Sequence, residues 1–279
     1  MVRHTESVSA SRTVRDHTVN SQLGPVLATN LLIVGFLMIT LWVIGTIRKD
    51  VSLVDPFWGL GFTIIAWTSS AMTSNTQAQA LLVSALTSLW GLRLSLYLIG
   101  RNWGHSEDRR YGAMREYHQA NFWLVSLVTV FLAQGLIMWI VAMPIQAAIS
   151  NPTRATSVGL NLCGILVWIV GLTFETVGDL QLARFKSDPN NAHRVMDRGL
   201  WRYTRHPNYF GDFCIWWGIY LVCAAAGAWW TIFSPILMTI LLLRISGVRL
   251  LESTITSRRP EYQDYQSRTS AFFPWRPSR

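Results

Sequence analysis

Several long apolar runs that carry few or no charges restrict the folds open to this chain. Residues 24–47 contain no charged side chain, and a helix needs about 20 apolar residues to cross the hydrocarbon core of a bilayer. Uninterrupted runs of this kind favour helices, which satisfy all their backbone hydrogen bonds within hydrocarbon. The sequence therefore predicts an all-α integral membrane protein with about seven transmembrane helices, over residues 24–47, 51–72, 78–99, 122–145, 158–177, 213–233 and 235–247.

The polar segments at the two ends differ from this membrane domain, which covers residues 24–247. Residues 1–23 are rich in Ser and Thr and lack an apolar core, so we predict a disordered tail there. Residues 248–279 mix paired tyrosines with basic and acidic side chains. We expect them to form an amphipathic cytoplasmic segment that either covers a site as a lid or lies among lipid headgroups.

Composition narrows the possible functions. Hydrophobic residues make up 51% of the chain and charged residues 14%, and 14 tryptophans are typical of a protein with extensive membrane interfaces. The net charge of +9 comes from residues that lie between apolar runs, which argues against nucleic-acid binding. Cys163, Cys214 and Cys223 all lie in apolar runs without metal-ligand spacing, so neither a disulfide framework nor a metal site is predicted.

The distribution of Lys and Arg predicts the orientation of the chain in the membrane. With seven spans, the N-terminal tail and Arg154 share one face, which carries four basic residues, and eighteen lie on the other face. Because basic loops stay in the cytoplasm, the C-terminus is predicted to be cytoplasmic, in a membrane of the bacterial inner-membrane type.

Charged side chains inside the predicted spans are candidate functional residues, because hydrocarbon makes them costly. Asp55 precedes Pro56 near the start of the second span, where it is either a catalytic acid or a helix N-cap. Arg93, in the third span, either contacts substrate or pairs with Asp55 or Glu175. We predict that Trp58, Trp90 and Arg93 contact substrate and that Asp55 is catalytic.

Two further polar stretches lie at the predicted cytoplasmic boundary. Residues 199–212 place guanidinium, imidazole, amide and carboxylate groups beside an apolar run. Such groups suit a site for a charged and partly flat ligand. An interfacial basic anchor is the alternative. Residues 174–186 carry three charged side chains that share one helical face, which either contacts a ligand or is an ordinary solvated helix end. The predicted ligand-binding residues are Asp179, Arg184, Lys186, Arg205, His206, Asn208, Tyr209 and Asp212.

With these segments in view, the sequence resembles the steroid 5α-reductase family, and in particular its bacterial branch. The resemblance is carried by residues 54–59, 179–186 and 199–212, and by the tail from Tyr265 to Pro274. The block within 199–212 is similar to one in sterol Δ14 and Δ7 reductases. A looser form occurs in isoprenylcysteine carboxyl methyltransferases, which use S-adenosylmethionine.

The resemblance implies a seven-helix membrane reductase that binds NADPH. By the family's motif, the cofactor would contact Asp179, Lys186, Asn208, Asp212 and Tyr265, with Arg205, His206 and Tyr209 in the same pocket. A Glu–Tyr pair engages the substrate carbonyl in steroid reductases. Asp55 stands at the Glu position, and Trp90 lies near the Tyr position, where it offers no acidic proton.

These observations together predict an NADPH-dependent reductase of a carbon–carbon double bond in a lipophilic small molecule, such as a steroid, isoprenoid or fatty-acyl chain. Membrane lipids are the other expected partners, and no protein partner is specified. Two alternatives remain at this point: a methyltransferase that uses S-adenosylmethionine, and a non-catalytic lipid-binding protein.

Overall fold

A computed structural model describes residues 3–151, 156–192, 194–245, 247–248, 252 and 261–278, with side chains described from residue 22 onward. Within these ranges every regular element is helical. The α-helices are α1 (Arg3–Arg48), α2 (Val54–Thr73), α3 (Ala78–Asn102), α4 (Arg109–His118), α5 (Phe122–Ser126), α6 (Ala133–Val141), α7 (Met143–Ser150), α8 (Val158–Ser187), α9 (Pro207–Cys223), α10 (Phe233–Ile240) and α11 (Tyr262–Arg268).

Six helical stretches in the described chain are long and apolar enough to cross a membrane. They are Gln22–Arg48, Val51–Thr73, Ala78–Asn102, Arg109–Val141, Val158–Ser187 and Pro207–Ile245. The first five overlap the first five predicted spans. Many apolar side chains on these helices are exposed, for example Leu32, Phe36 and Ile47 on α1. These observations support a multi-pass membrane protein whose exposed apolar side chains contact lipid.

The sixth stretch folds back on itself. Gly227 has a φ of +91°, a conformation that favours glycine, so the helical path breaks there. The Trp217 indole N–H donates to the Thr239 hydroxyl across 3.2 Å, although a continuous helix would separate these residues by about 33 Å. Residues 207–245 are therefore a helical hairpin, which agrees with the tight pair predicted over residues 213–247. By length and composition this stretch is counted as one candidate span.

The N-terminal and C-terminal segments are described in part. α1 begins at Arg3, so the helix continues through the segment for which a disordered tail was predicted. In the C-terminal segment, α11 and the residues up to 278 are described. Five basic residues used in the charge asymmetry lie outside the described residues: Arg154, Arg249, Arg258, Arg259 and Arg279.

Contacts divide the chain into two units, of which the first comprises residues 1–156 and 223–231. In this unit α2 and α3 cross at Gly59 and Gly91. A Cβ atom on Gly59 would lie 2.0 Å from the Gly91 carbonyl oxygen, so neither position has room for a side chain. Phe62 and Trp90 are fully buried beside this crossing. Close backbone approach at small residues is a usual source of packing between membrane helices.

The second unit comprises residues 157–222 and 232–279. Here α8 packs against α9 through a similar contact, because a Cβ atom on Gly171 would lie 2.6 Å from the Gly211 carbonyl oxygen. One turn before Gly211, Asn208 lies opposite Asp179 of α8. The close crossing thus holds the polar end of α8 against the start of α9.

Candidate functional site

Asp55 lies in the first turn of α2 and is held by two residues of α4. Its Oδ2 atom accepts a hydrogen bond from Arg110 at 2.9 Å, and its Oδ1 atom accepts one from the Tyr111 hydroxyl at 2.8 Å. Only 14% of the Asp55 side chain is exposed. The N-cap of α2 is Leu53, so the alternative in which Asp55 caps this helix does not hold. The carboxylate pairs with Arg110 where we had considered Arg93.

The Tyr111 hydroxyl is part of a hydrogen-bond chain with a defined direction. The Trp58 indole N–H donates to Gln134 Oε1 at 2.5 Å, and Gln134 Nε2 donates to the Tyr111 hydroxyl at 3.2 Å. Indole can only donate, so it fixes the orientation of the Gln134 amide. Tyr111 then accepts from Gln134 and donates its single proton to Asp55. We call Asp55, Trp58, Arg110, Tyr111 and Gln134 the tyrosine–carboxylate cluster.

Acidic residues before α4 hold Arg110 in place. Asp108 is the N-cap of α4, where it accepts from the Arg110 backbone N–H at 2.9 Å and from Arg110 Nε at 3.0 Å. Its own backbone N–H donates to the Ser52 hydroxyl at 2.7 Å. Burial acts to raise the pKa of Asp108, but these hydrogen bonds outweigh it and hold the pKa below its usual value. Asp108 therefore stays ionised and keeps the Arg110 guanidinium beside Asp55.

A second ion pair ties the same loop to the residues that precede α2. Glu107 accepts from Arg115 at 2.7 Å and from the Val51 backbone N–H at 2.9 Å. Burial acts to raise the pKa of Glu107, but the Arg115 and Val51 bonds outweigh it and lower the pKa. The loop before α4 is thus joined to the start of α2 at two points, Glu107 and Asp108.

The three residues predicted to contact substrate have separate surroundings. Trp90 is buried, and its ring centroid lies 5.7 Å from that of Phe62, which in turn lies 5.8 Å from Trp58. Trp58 and Trp90 therefore belong to one aromatic row. The Arg93 guanidinium lies over the Tyr97 ring, 5.4 Å from its centroid.

Sequence reasoning missed three members of the tyrosine–carboxylate cluster: Arg110, Tyr111 and Gln134. Tyr111 lies 56 residues from Asp55, in a segment that we treated only as a basic loop. Neither helical periodicity nor motif spacing links the two positions. A signal was available in one respect, because a carboxylate in an apolar span requires a donor from elsewhere in the chain.

In the second unit, Arg205 is the centre of an ion-pair network. Its Nε and Nη2 atoms donate to the two Glu252 carboxylate oxygens at 2.7 and 3.1 Å. Its Nη1 atom donates to the carbonyl oxygens of Gln266 and Thr269 at 3.0 and 2.7 Å. All three guanidinium nitrogens thus hold the C-terminal segment. Arg205 was predicted to bind a phosphate or carboxylate group of a ligand, and in the structure it donates to Glu252 and to two carbonyl oxygens of the chain.

The Glu252 carboxylate has two further partners. His206 Nε2 lies 3.0 Å from Glu252 Oε1, and Gln266 Nε2 donates to Oε2 at 3.3 Å. Burial acts to raise the pKa of Glu252, but the bonds from His206 and Arg205 outweigh it and lower the pKa to about 2. Glu252 was not among the predicted site residues. We call Arg205, His206, Glu252 and Gln266 the tail clamp.

The remaining predicted ligand residues surround the start of α9. Asn208 Nδ2 donates to Asp179 Oδ1 at 3.2 Å, and its Oδ1 atom accepts from the Tyr209 backbone N–H at 3.0 Å. The His206 and Tyr209 rings stack, with centroids 5.6 Å apart. Asp212, one turn further along α9, is half-buried. The structure therefore brings Asp179, His206, Asn208 and Tyr209 together.

The other predicted ligand residues differ from these four in exposure or in the contacts that they make. Asp179 is buried, whereas Arg184 and Lys186 are exposed at the end of α8, so the charged face that we predicted there divides into a buried and an exposed part. The Tyr265 hydroxyl donates to the Trp201 carbonyl oxygen, which docks α11 onto the chain before α9. Burial raises the pKa of Tyr265 well above its usual value, so it remains a neutral donor.

We expect Arg205→Ala to release the C-terminal segment, because it leaves Glu252, which is 17% exposed, without its bidentate partner. The expected loss is roughly 2–4 kcal/mol of unfolding free energy, with faster proteolysis of the tail. Arg268→Ala is the matched control, since the exposed Arg268–Asp197 pair in the same tail contributes about 0–1 kcal/mol. Equal effects of the two substitutions would contradict the clamp.

The clamp also has a defined pH dependence. The pKa of Glu252 is depressed in the folded protein from 4.5 to about 2, so its contribution is complete above pH 4.5 and is lost as the pH falls towards 2. Protection of the tail from an acid-tolerant protease should follow this window in the wild type. The Glu252→Gln variant should show weaker protection throughout and a flatter pH profile.

The chain is similar to a fungal protein and matches one family model. A protein of Schizosaccharomyces pombe that is described as uncharacterized is 26% identical over an alignment of 286 positions. The alignment covers 88% of this chain and 80% of the relative. No solved structure matches the chain. The model of a family of proteins of unknown function, DUF1295, matches residues 41–269, a range that contains both clusters. The chain belongs to the DUF1295 family.

Proposed function

We propose that this protein is an NADPH-dependent membrane reductase that reduces a carbon–carbon double bond next to a carbonyl group in a lipophilic molecule. The observation that carries the proposal is the Tyr111–Asp55 hydrogen bond at the start of a membrane-spanning helix. Family membership supports a membrane reductase or methyltransferase at a coarser level. The resemblance to steroid 5α-reductases supports the narrower reaction.

The tyrosine–carboxylate cluster has the groups that polarise a carbonyl. A tyrosine hydroxyl donates a hydrogen bond to the oxygen on which negative charge develops, while the carboxylate beside it sets the position of the proton. In the structure this proton points to Asp55. Tyr111 can donate to a substrate oxygen when Asp55 carries a proton and donates to Tyr111 in its place. Asp55 thus acts with Tyr111, and Trp58 and Gln134 keep the tyrosine oxygen fixed.

Arg110 gives the cluster a connection to solvent. Its side chain is 42% exposed and joins Asp55 to Asp108. When Asp55 is ionised, the guanidinium stabilises it, and when Asp55 takes up a proton, Arg110 retains its bonds to Asp108. The cluster can therefore exist in two protonation states without loss of the residues that hold it.

Residues of the second unit fit parts of a dinucleotide. Arg184 and Lys186 are cations suited to phosphate groups, and the Asp179–Asn208 pair offers acceptors and donors for ribose hydroxyls or a carboxamide. The stacked His206 and Tyr209 rings form a planar aromatic surface. When bound, NADPH supplies the hydride. We assign Arg205 and Tyr265 to docking the tail, since their donors are occupied within the chain.

The tyrosine–carboxylate cluster favours the reductase over the alternatives. Methyl transfer from S-adenosylmethionine needs an acceptor nucleophile, and a hydrogen-bond donor directed at a carbonyl has no part in it. A non-catalytic lipid-binding protein has no need of a tyrosine, a carboxylate and an arginine joined in one network. The reductase and the methyltransferase therefore predict different bound cofactors, NADPH and S-adenosylmethionine.

Mass spectrometry of small molecules that co-purify with the protein should detect NADP(H), and titration should show tighter binding of NADPH than of NADH. Asn208→Ala removes the partner of Asp179 and should weaken NADPH binding by roughly 1–3 kcal/mol. Detection of S-adenosyl compounds would overturn the reductase in favour of the methyltransferase. Equal calorimetric affinity in the wild type and the variant would remove Asn208 from the site.

Tyr111→Phe should slow the reduction of an enone by roughly 10²–10⁴, because it removes the hydroxyl that polarises the carbonyl. Asp55→Asn should slow turnover to a similar extent, and neither variant should lose NADPH affinity. Tyr117→Phe is the matched control, since Tyr117 lies on the same helix and is 83% exposed. The substrate can be sought with membranes, NADPH and a panel of enones and polyprenyl lipids. Turnover of Tyr111→Phe within a few-fold of wild type would contradict the assignment.

The helical hairpin over residues 207–245 supports a seventh crossing, which places the two termini on opposite sides of the membrane. By the positive-inside rule, a reporter fused after Arg279 should be cytoplasmic in a bacterial inner membrane, and a reporter at the N-terminus should be active on the other side. Two reporters on the same side would contradict the seven-span topology.

A further inference from the structure

Residues 270–278 pack along the segment that leads into α9. The Arg205 backbone N–H donates to the Ser270 carbonyl oxygen at 2.9 Å, and the Trp275 backbone N–H donates to the Tyr203 carbonyl oxygen at 2.9 Å. The two segments therefore run antiparallel, since the later residue of one is bonded to the earlier residue of the other. Both belong to the second unit.

The tail lies against the first two turns of α9. The Phe273 ring centroid lies 6.1 Å from that of Phe210 and 5.8 Å from that of Phe213. α9 begins at Pro207, which is also the start of the last candidate membrane span. The first turns of a spanning helix lie at the boundary between membrane and water, where aromatic side chains are enriched. The tail therefore lies at the depth of the lipid headgroups.

Exposed aromatic rings and two arginines form one surface at this position. Phe273 is 60% exposed and Trp275 is 75% exposed, and Tyr203, whose backbone is bonded to that of Trp275, is exposed as well. Arg202 and Arg276 are exposed and are the chain neighbours of this bonded pair. We call Arg202, Tyr203, Phe273, Trp275 and Arg276 the aromatic–arginine patch. A group of large exposed rings beside cations is typical of a binding surface.

We infer that the aromatic–arginine patch binds the headgroup region of an anionic phospholipid membrane. The rings enter the boundary between headgroups and acyl chains, and the two guanidinium groups neutralise lipid phosphates. The apolar surface of α9 continues from the same boundary into the hydrocarbon, so the patch and the span contact one membrane. A lid over a site and a location among headgroups were both expected for the C-terminal segment, and the patch favours the headgroups.

This binding gives the tail a second attachment besides the tail clamp. The clamp holds the C-terminal segment through Arg205 and Glu252, and the patch holds it through the membrane surface. Since the charge on the membrane comes from its anionic lipids, the strength of the second attachment follows the lipid composition.

The test measures hydrogen–deuterium exchange of residues 270–278 in the full-length protein, in nanodiscs of phosphatidylcholine with or without phosphatidylglycerol. Exchange should be about 5- to 30-fold slower with phosphatidylglycerol, because each arginine near an anionic surface contributes about fivefold to binding. Added salt should remove most of this difference, since it screens the charges. Soluble glycerol 3-phosphate should not slow exchange in phosphatidylcholine discs, because it offers the rings no membrane boundary.

The double variant Arg202→Gln/Arg276→Gln tests the charged part of the patch. In phosphatidylcholine discs it should exchange as wild type does, which shows that the tail remains folded. With phosphatidylglycerol it should lose most of the slowing. The matched control is Arg48→Gln/Arg109→Gln, which removes two exposed arginines from the first unit and should retain the slowing.

Trp275→Ala tests the aromatic part. It should speed exchange of the tail in both kinds of disc, because the contact of an indole ring with the membrane boundary does not depend on lipid charge.

Four outcomes would overturn the inference. They are equal exchange of the wild-type tail in the two kinds of disc, equal loss of slowing in the two double variants, unchanged exchange in Trp275→Ala, and slowing by glycerol 3-phosphate alone. The last would indicate a site for a free phosphate compound. None of these measurements involves NADPH or turnover, so they leave the proposed reductase activity untouched.

Discussion

Polar side chains within an apolar helical frame must find partners inside the protein, and the arrangement of this chain depends on that requirement. Hydrocarbon offers no hydrogen bonds, so an unpaired carboxylate in a spanning helix would be costly. Asp55 is therefore satisfied by Arg110 and Tyr111, which come from a different helix. The same rule holds deeper in the first unit, where the buried Asn30 amide donates to Ser69 and Gln146.

The hydrogen bonds that satisfy Asp55 also determine which proton Tyr111 can donate. A tyrosine that donates to a carboxylate and accepts from an amide has a fixed oxygen position and one mobile proton. Trp58 fixes the amide of Gln134, so the direction of the whole chain is set by an indole that can only donate. The groups that satisfy Asp55 in an apolar setting are thus the same groups that would act on a substrate carbonyl.

The second unit uses its polar residues in another way. A guanidinium such as that of Arg205 suits a phosphate and a carboxylate equally well, and here its Nε and Nη2 atoms both donate to Glu252. The motif around Arg205 therefore holds the C-terminal segment against the start of α9. Asp179 and Asn208, which the close crossing of α8 and α9 brings together, remain in position to contact a ligand.

The sequence by itself determined the helical class, the positions of the first five spans and the hairpin over residues 213–247. These features follow from local composition, because about 20 apolar residues suffice to define a span and a glycine marks the break. It also indicated Asp55, since a carboxylate in an apolar run stands out without any knowledge of its neighbours. The local pattern likewise placed Asp179 and Asn208 at the polar ends of two helices.

Only the tertiary structure decided what these residues contact. Tyr111 and Asp55 are 56 residues apart, and Arg205 and Glu252 are 47 apart, so their contacts result from helix packing that no local pattern encodes. For the same reason the capping role considered for Asp55 was wrong, and Arg205 proved to be occupied within the chain. Composition determines which segments enter the membrane, whereas the partner of each buried polar group depends on which helices pack together.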